Sequence, residues 1–154
     1  MKIETRVFGV IDIDDNKMIT LDKGMIGFPQ LTRFALIFDE DSREKKLSIM
    51  WLQSLDDGDV IFPVIDPTYC IEEYYPSVSE EIISSLGTLK KENIYVLVTV
   101  TVPKKVEDFS VNLKAPIIVN TDTNKAVQVI MEEDYPVKYK IYHLLKEKQK
   151  KAGE

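Results

Sequence analysis

Few residues of this chain are equipped for chemistry, and their spacing argues against most of the chemistries they suggest. Asp12-Ile13-Asp14-Asp15-Asn16 offers oxygen ligands in the manner of a calcium loop. An EF-hand loop needs glycine at its sixth position and glutamate at its twelfth. Counted from Asp12, those positions hold Lys17 and Lys23, so the stretch reads as a hairpin turn. His143 is the single histidine, which leaves none for a His-based metal cluster and none to spare for a Ser-His-Asp triad. Cys70 has no histidine near it in sequence and reads as a small buried hydrophobe. Asp66 beside Pro67 offers one carboxylate, for which an Asx-type turn after a strand is the stronger reading. Neither GxGxxG nor GxxxxGKS/T occurs, so no phosphate-cradling loop is expected. Only isolated polar residues remain: no enzyme, cofactor or metal site is expected.

Two features suit recognition better. Tyr69, Tyr74 and Tyr75 flank Glu72 and Glu73 in the segment after Asp66-Pro67. Aromatic anchors beside carboxylates suit a basic protein partner, so Asp66, Glu72, Glu73, Tyr74 and Tyr75 form the candidate contact surface. The competing reading has the tyrosines capping the core with their hydroxyls outward. Trp51-Leu52-Gln53-Ser54 is the second feature. A single Trp in a strand is more often core than hot spot, and Gln53, polar in an apolar run, requires a specific partner.

The elements that must position these residues are mostly strands. Tyr95 to Val102 is apolar or β-branched on both alternating faces, which fits a strand buried on both sides, ended by Pro103. Asn112 to Asn120 and Ala126 to Met131, joined by the polar turn Thr121-Asp122-Thr123-Asn124-Lys125, read as a hairpin. Ile94 to Met131 is therefore taken as the core sheet. Ahead of it, Ile3, Thr5, Val7, Ile11 and Ile13 share one parity and predict a strand with a bulge or close approach at Gly9. Met18 to Leu21, Phe34 to Phe38, Leu47 to Ser54 and Val60 to Ile65 predict further strands, Pro63 placing the last near an edge or bulge. Gly24-Met25-Ile26-Gly27-Phe28-Pro29 is a loop with backbone freedom at two glycines, and Asp39 to Lys46 is a charged connection. Ser77-Val78-Ser79-Glu80 fits a capping box, with Val78, Ile82 and Leu86 on one stripe and Gly87 as the stop. A weaker amphipathic signal covers Ile141 to Lys150. Nine or ten short strands imply a mainly β domain, sandwich or barrel, with one or two short helices.

At 154 residues the chain suits one domain. The start Met1-Lys2-Ile3-Glu4 has no basic segment followed by an apolar one, the apolar runs are short of a membrane span, and Cys70 has no partner for an internal disulfide. A cytoplasmic protein away from the membrane is expected. Net charge is −6, but residues 137–154 hold six lysines and two glutamates, which leaves −10 on the first 136 residues. An acidic body repels phosphate, so direct nucleic-acid binding is not expected of it, and the lysine-rich tail 141–154 reads as a solvated terminus.

Together these motifs resemble the flagellar assembly factor FliW family. The residues that carry the resemblance are Gly24-Met25-Ile26-Gly27-Phe28, Trp51-Leu52-Gln53-Ser54, Val64-Ile65-Asp66-Pro67 and Val100-Thr101-Val102-Pro103, then Asn112-Leu113-Lys114-Ala115-Pro116-Ile117 with Asn120, and Gln128-Val129-Ile130 followed by Tyr135-Pro136-Val137. Each piece is weak alone; the ordered set is specific over residues 1–140, with Trp51, Gln53, Asn112, Lys114, Pro116 and Asn120 as its marker positions. The resemblance implies a compact antiparallel β-barrel-like domain, non-enzymatic, cytoplasmic and monomeric when free. It also implies two protein partners. One is CsrA, an RNA-binding translational repressor that the protein antagonises. The other is flagellin, held in a chaperone-type role, so that flagellin export regulates flagellin translation. A small-ligand-binding β-barrel, or an enzyme using isolated carboxylates, are the alternatives.

Overall fold

A computed structural model describes residues 1–38, 49–69, 71, 74, 79–101 and 104–142. In chain order its elements are β1 (Lys2–Thr5), β2 (Gly9–Asp12), β3 (Met18–Leu21), β4 (Arg33–Phe38), β5 (Met50–Ser54), β6 (Ile61–Ile65), α1 (Glu80–Leu86), β7 (Ile94–Thr101), β8 (Ser110–Val111), β9 (Ile117–Asn120), β10 (Lys125–Gln128) and β11 (Tyr139–Lys140). The expected connection over Asp39 to Lys46 lies outside the described residues. So do Cys70, Glu72, Glu73, Tyr75, Ser77, Val78, Val102, Pro103, His143 and all but the first two residues of the helix expected over Ile141 to Lys150. No helix among the described residues is long and apolar enough to cross a membrane.

Seven strands close into a barrel in the order β7-β6-β5-β4-β3-β10-β9 and back to β7. Six of the seven neighbouring pairs are antiparallel; β3 and β10 run parallel, through Thr20↔Lys125 and Leu21↔Ala126. The antiparallel β-barrel-like domain implied by the resemblance is present, with this one parallel seam. Strand directions cannot alternate all the way round a ring with an odd number of members, so one parallel pair is unavoidable.

β7 is buried on both faces, as its composition requires. Leu97, with Tyr95 beside it, packs into the barrel interior with Phe34, Leu52, Val64, Ile117 and Val119. On the opposite face Val98 and Val100 join a second cluster outside the barrel, made with Ile65, Tyr74, Val111, Leu113 and Ile141. β9 and β10 form the expected hairpin. Its turn places Asn124 at φ 58, a conformation asparagine tolerates better than most residues. The returning strand ends at Gln128 rather than Met131.

α1 packs on the outside of that hairpin through Leu86 and Ile82 against Ile118, Val127 and Met131. Its cap is Ser79, whose hydroxyl accepts from the Ile82 amide, and not the Ser77 of the expected capping box. Gly87 ends it at φ 89. Asn120, fully buried, joins the helix to the turn. Its Nδ2 donates to the Leu86 carbonyl at 2.8 Å, and its Oδ1 accepts from Asp122 N at 2.9 Å and Thr123 N at 3.3 Å. Asn120→Ala strands two turn amides and weakens the hold on a helix carbonyl. It is expected to cost about 2–3 kcal/mol in a denaturant melt, since buried groups left unmade are the expensive ones. A loss under about 0.5 kcal/mol would show that water replaces the side chain there.

The single strand expected over Ile3 to Ile13 is instead a hairpin, β1 with β2, forming a two-stranded sheet of its own. Thr5 builds the turn: its hydroxyl accepts from Phe8 N and donates to the Gly9 carbonyl at 2.7 Å. Gly9 closes it at φ 67. The hairpin abuts the loop after β5. Arg6 N donates to the Gly58 carbonyl, and a Cβ on Gly58 would sit 2.0 Å from the Glu4 carbonyl oxygen. Gln53, fully buried, ties that loop down by donating to the carbonyls of Ser54, Gly58 and Val60. Asp56 in the same loop accepts from Thr32 N, Arg33 N and Arg33 Nε. Burial pushes its carboxyl up, but these donors and the Arg33 charge outweigh that and hold it below the usual carboxylate value.

Candidate functional site

The acidic-aromatic segment divides on inspection. Asp66 Oδ1 accepts from Thr68 N at 2.9 Å and Thr68 Oγ1 at 2.7 Å, the Asx turn expected after β6. Tyr74 is 6% exposed and belongs to the outer cluster. Its ring meets Tyr135 edge-on at 4.9 Å, and its hydroxyl donates to the Leu113 carbonyl. Burial, with the neighbouring Tyr135 and Glu133, pushes the phenol well above its ordinary value. Tyr74 is thus removed from the candidate surface: it is a core residue with its hydroxyl turned inward. Glu72, Glu73 and Tyr75 lie outside the described residues.

The marker residues of the sequence pattern gather elsewhere. β8 and β9 both pair with β7, but the chain advances six residues from Val111 to Ile117 while β7 advances three, from Leu97 to Val100. Asn112 N still donates to the Thr99 carbonyl at 3.0 Å, so residues 113–116 are the ones thrown out of the ladder. Asn112 shapes this bulge, its Oδ1 accepting from Lys114 N at 3.0 Å and Ala115 N at 3.2 Å. Val129 N donates to the Pro116 carbonyl and Met131 N to the Lys114 carbonyl, while Leu113 N donates to the Pro136 carbonyl. Tyr74 supports the same bulge through Leu113. Leu113, Ala115 and Pro116 are buried, and these bonds answer the backbone groups that the ladder no longer pairs.

On the other side of β7, the ladder with β6 stops at Val64↔Thr99. The next residue of β6 is Pro63, which has no N–H to continue it. The edge or bulge expected from that proline is this local parting of two interior strands. Between the parting and the bulge lies an open groove of about 460 Å³ at the barrel mouth, lined by Met25, Ile26, Phe62, Pro63, Thr99–Thr101, Asn112, Lys114, Ala115, Gln128, Ile130 and Val137. Gln128 braces it, accepting from Ile26 N at 2.8 Å and donating to the Ala115 carbonyl at 3.1 Å. Large aliphatic side chains stand exposed around it: Ile26 at 51%, Ile130 at 67% and Val137 at 58%. Exposed aliphatics gathered around a hollow mark an interaction surface.

Of the six marker positions, Asn112 and Lys114 line the groove, while Pro116 ends its bulge. Asn120 and Gln53 are internal ties. Trp51 is half-buried on the outer face of β5, against Phe8 of the β1–β2 turn at 6.5 Å. Sequence reasoning missed Ile130 and Val137 as surface residues. The signal available was the run Val129-Ile130-Met131, apolar on both parities beyond the point where the strand ends. Among the described residues no group of three or more His, Cys, Asp or Glu side chains is placed to hold a metal.

Comparison with known proteins points one way. A model of the FliW protein family matches residues 2–141. The chain is 40% identical over 151 residues to a flagellar assembly factor FliW from Lachnospira eligens, covering 97% of this chain and 99% of that one. It is 38% identical over 152 residues to its counterpart from Lachnoclostridium phytofermentans, covering 98% and 97%. In three dimensions it is similar to a crystal structure of the flagellar assembly factor FliW, with a TM-score of 0.81 at 25% identity over 92% of this chain and 96% of that one.

Proposed function

Because the chain belongs to the FliW family of flagellar assembly factors, we propose that it acts without catalysis, by exchanging two protein partners in the cytoplasm. In this proposal monomeric flagellin occupies it while flagellin is plentiful. Once flagellin is exported, the freed protein binds CsrA and lifts translational repression of flagellin. The observation that supports a docking role is the braced groove with its exposed aliphatic rim, built on residues of the family pattern. Charge supports the choice of a basic partner. A body at −10 attracts a protein that is basic where it grips RNA, and an acidic protein bound beside that site repels the RNA.

Size exclusion of the protein mixed at micromolar concentration with monomeric flagellin, and separately with CsrA, tests the proposal. Each pair should co-elute, and adding flagellin should displace CsrA. Failure of both pairs to co-elute would overturn it. The acidic segment, with Asp66 at its start, remains the proposed contact for CsrA. Glu72→Lys with Glu73→Lys should slow CsrA association, with a smaller change in dissociation, and the difference should shrink as salt rises. Surface kinetics at low and high salt, with a melt as control, measure this. Wild-type rates at both salts would remove the segment from the interface.

A further inference from the structure

Thirteen described residues line the groove, and one of these is charged: Lys114. It is a cation in a protein of net charge −6. Its side chain is half-buried, and its ammonium donates one hydrogen bond to the Glu133 carbonyl. An ammonium has three donors, so this bond fixes the group and leaves two to offer. The other polar side chains of the lining are the Thr99 and Thr101 hydroxyls and the amides of Asn112 and Gln128. Asn112 has its oxygen engaged by two backbone amides, which leaves its NH2 as the end that meets a ligand. Gln128 likewise spends its oxygen on Ile26. The hollow is biased toward donors, with apolar walls from Met25, Phe62 and Val137.

Resting on the docking role proposed for this groove, we propose that it takes an apolar stretch of a partner polypeptide that carries a carboxylate, with Lys114 as the specificity determinant. Ile26, Ile130 and Val137 line the hollow and are each more than half exposed, an apolar area that a chain segment covers and a small acid does not. The opposing charges are Glu132, Glu133 and Asp134, between Ile130 and Val137 on the rim, with Lys138 beside them. The three acids are exposed residues, and their fields fade over about 8 Å at physiological salt. Lys114 is the one charge in the described lining itself, held there by its exposed bond to the Glu133 carbonyl.

The test titrates the full chain, labelled for NMR, with three blocked nine-residue peptides that share Leu and Ala flanks and differ at the centre: Asp, Asn or Lys. The Asp peptide should shift the amides of Ile26, Thr101, Lys114 and Gln128. It should bind roughly five- to tenfold tighter than either other peptide, the worth of one charge-assisted hydrogen bond after competition with water. Lys114→Gln should abolish that preference while leaving the melting temperature in place. A tighter Lys peptide, which would give the groove to the rim acids, overturns the proposal. So do equal binding by all three peptides, no binding, shifts away from the groove, or an Asp preference that survives Lys114→Gln. Co-elution of wild type and Lys114→Gln with flagellin and CsrA separates the two levels. If both proteins bind both partners equally, partner exchange stands and the role of Lys114 falls. If wild type binds neither partner, partner exchange falls, and the peptide preference still decides the groove.

Discussion

Val98→Asp is expected to abolish the cooperative melt of this protein. Val98 is fully buried, and the cluster around it is made of Ile65, Val100, Val111, Leu113, Ile141 and Tyr74. An aspartate there meets hydrocarbon in place of water. The cost of a buried, unpaired charge is several kcal/mol even after relaxation. That is comparable with the whole stability of an ordinary domain, about 5–15 kcal/mol. Protonation is the escape route, so any recovered folding should appear on acidification: the carboxyl is neutral when buried and ionised when unfolded. Ile94→Asp on the same strand is the control. Ile94 is 42% exposed, and its aspartate stays hydrated, so a shift within about 1 kcal/mol is expected. The readouts are circular dichroism and a thermal scan for both variants. A wild-type melt for Val98→Asp at neutral pH would mean that β7 is not the strand on which the two clusters are built.

How far the sequence revealed this fold depends on how local each cause was. β7 was legible because burial on both faces leaves apolar residues at both parities, which a surface strand cannot show. The β9–β10 hairpin was legible because its turn is polar and its strands are not. The β1–β2 hairpin was concealed by arithmetic. Ile3 pairs with Ile11 and Thr5 with Gly9, so the turn is centred on residue 7 and odd-numbered residues stay on one face through it. Arg6-Val7-Phe8 carries no glycine, proline or asparagine. Only Gly9 and the Thr5 hydroxyl marked the reversal. The parallel seam between β3 and β10 was hidden for another reason: it follows from the number of strands in the ring, which no single segment records. For Tyr74 the sequence leaves a contact surface and a cap on the core both open, because aromatic residues beside glutamates look alike whether the ring turns out or in; the Leu113 carbonyl that takes its hydroxyl, turned inward in place of outward, lies 39 residues away. The groove is wholly non-local. Its walls come from the parting at Pro63, the bulge at residues 113–116 and the loop of Gly24 to Pro29, and each of these reads as an ordinary turn on its own.

The last of those walls yields the most specific expected result, because its two glycines are constrained differently. Gly24 and Gly27 both have positive φ, at 68 and 90. Any residue other than glycine pays conformationally at such angles, about 1–3 kcal/mol. There the likeness ends. A Cβ on Gly27 would meet nothing within 4 Å. A Cβ on Gly24 would lie 2.4 Å from the Phe28 carbonyl oxygen and 2.7 Å from Pro29 Cα, and both obstacles are backbone. Gly27→Ala is therefore expected to cost the conformational part alone. Gly24→Ala adds a clash that the loop relieves only by opening, for a further 1–3 kcal/mol or so. Opening separates Met25, 3% exposed, from the barrel interior and breaks the bond from Ile26 N to Gln128. The consequence for function follows from that bond. With Gln128 no longer bracing Ile26 against Ala115, Gly24→Ala should weaken partner binding at the groove at temperatures where the barrel is still folded. Gly27→Ala should bind with an affinity close to wild type. Denaturant melts of both variants, followed by calorimetric titration with monomeric flagellin well below either melting temperature, make the comparison. Equal losses of stability would show that the loop around Gly24 yields freely. Undiminished binding by a destabilised Gly24→Ala would show that this wall takes no part in docking.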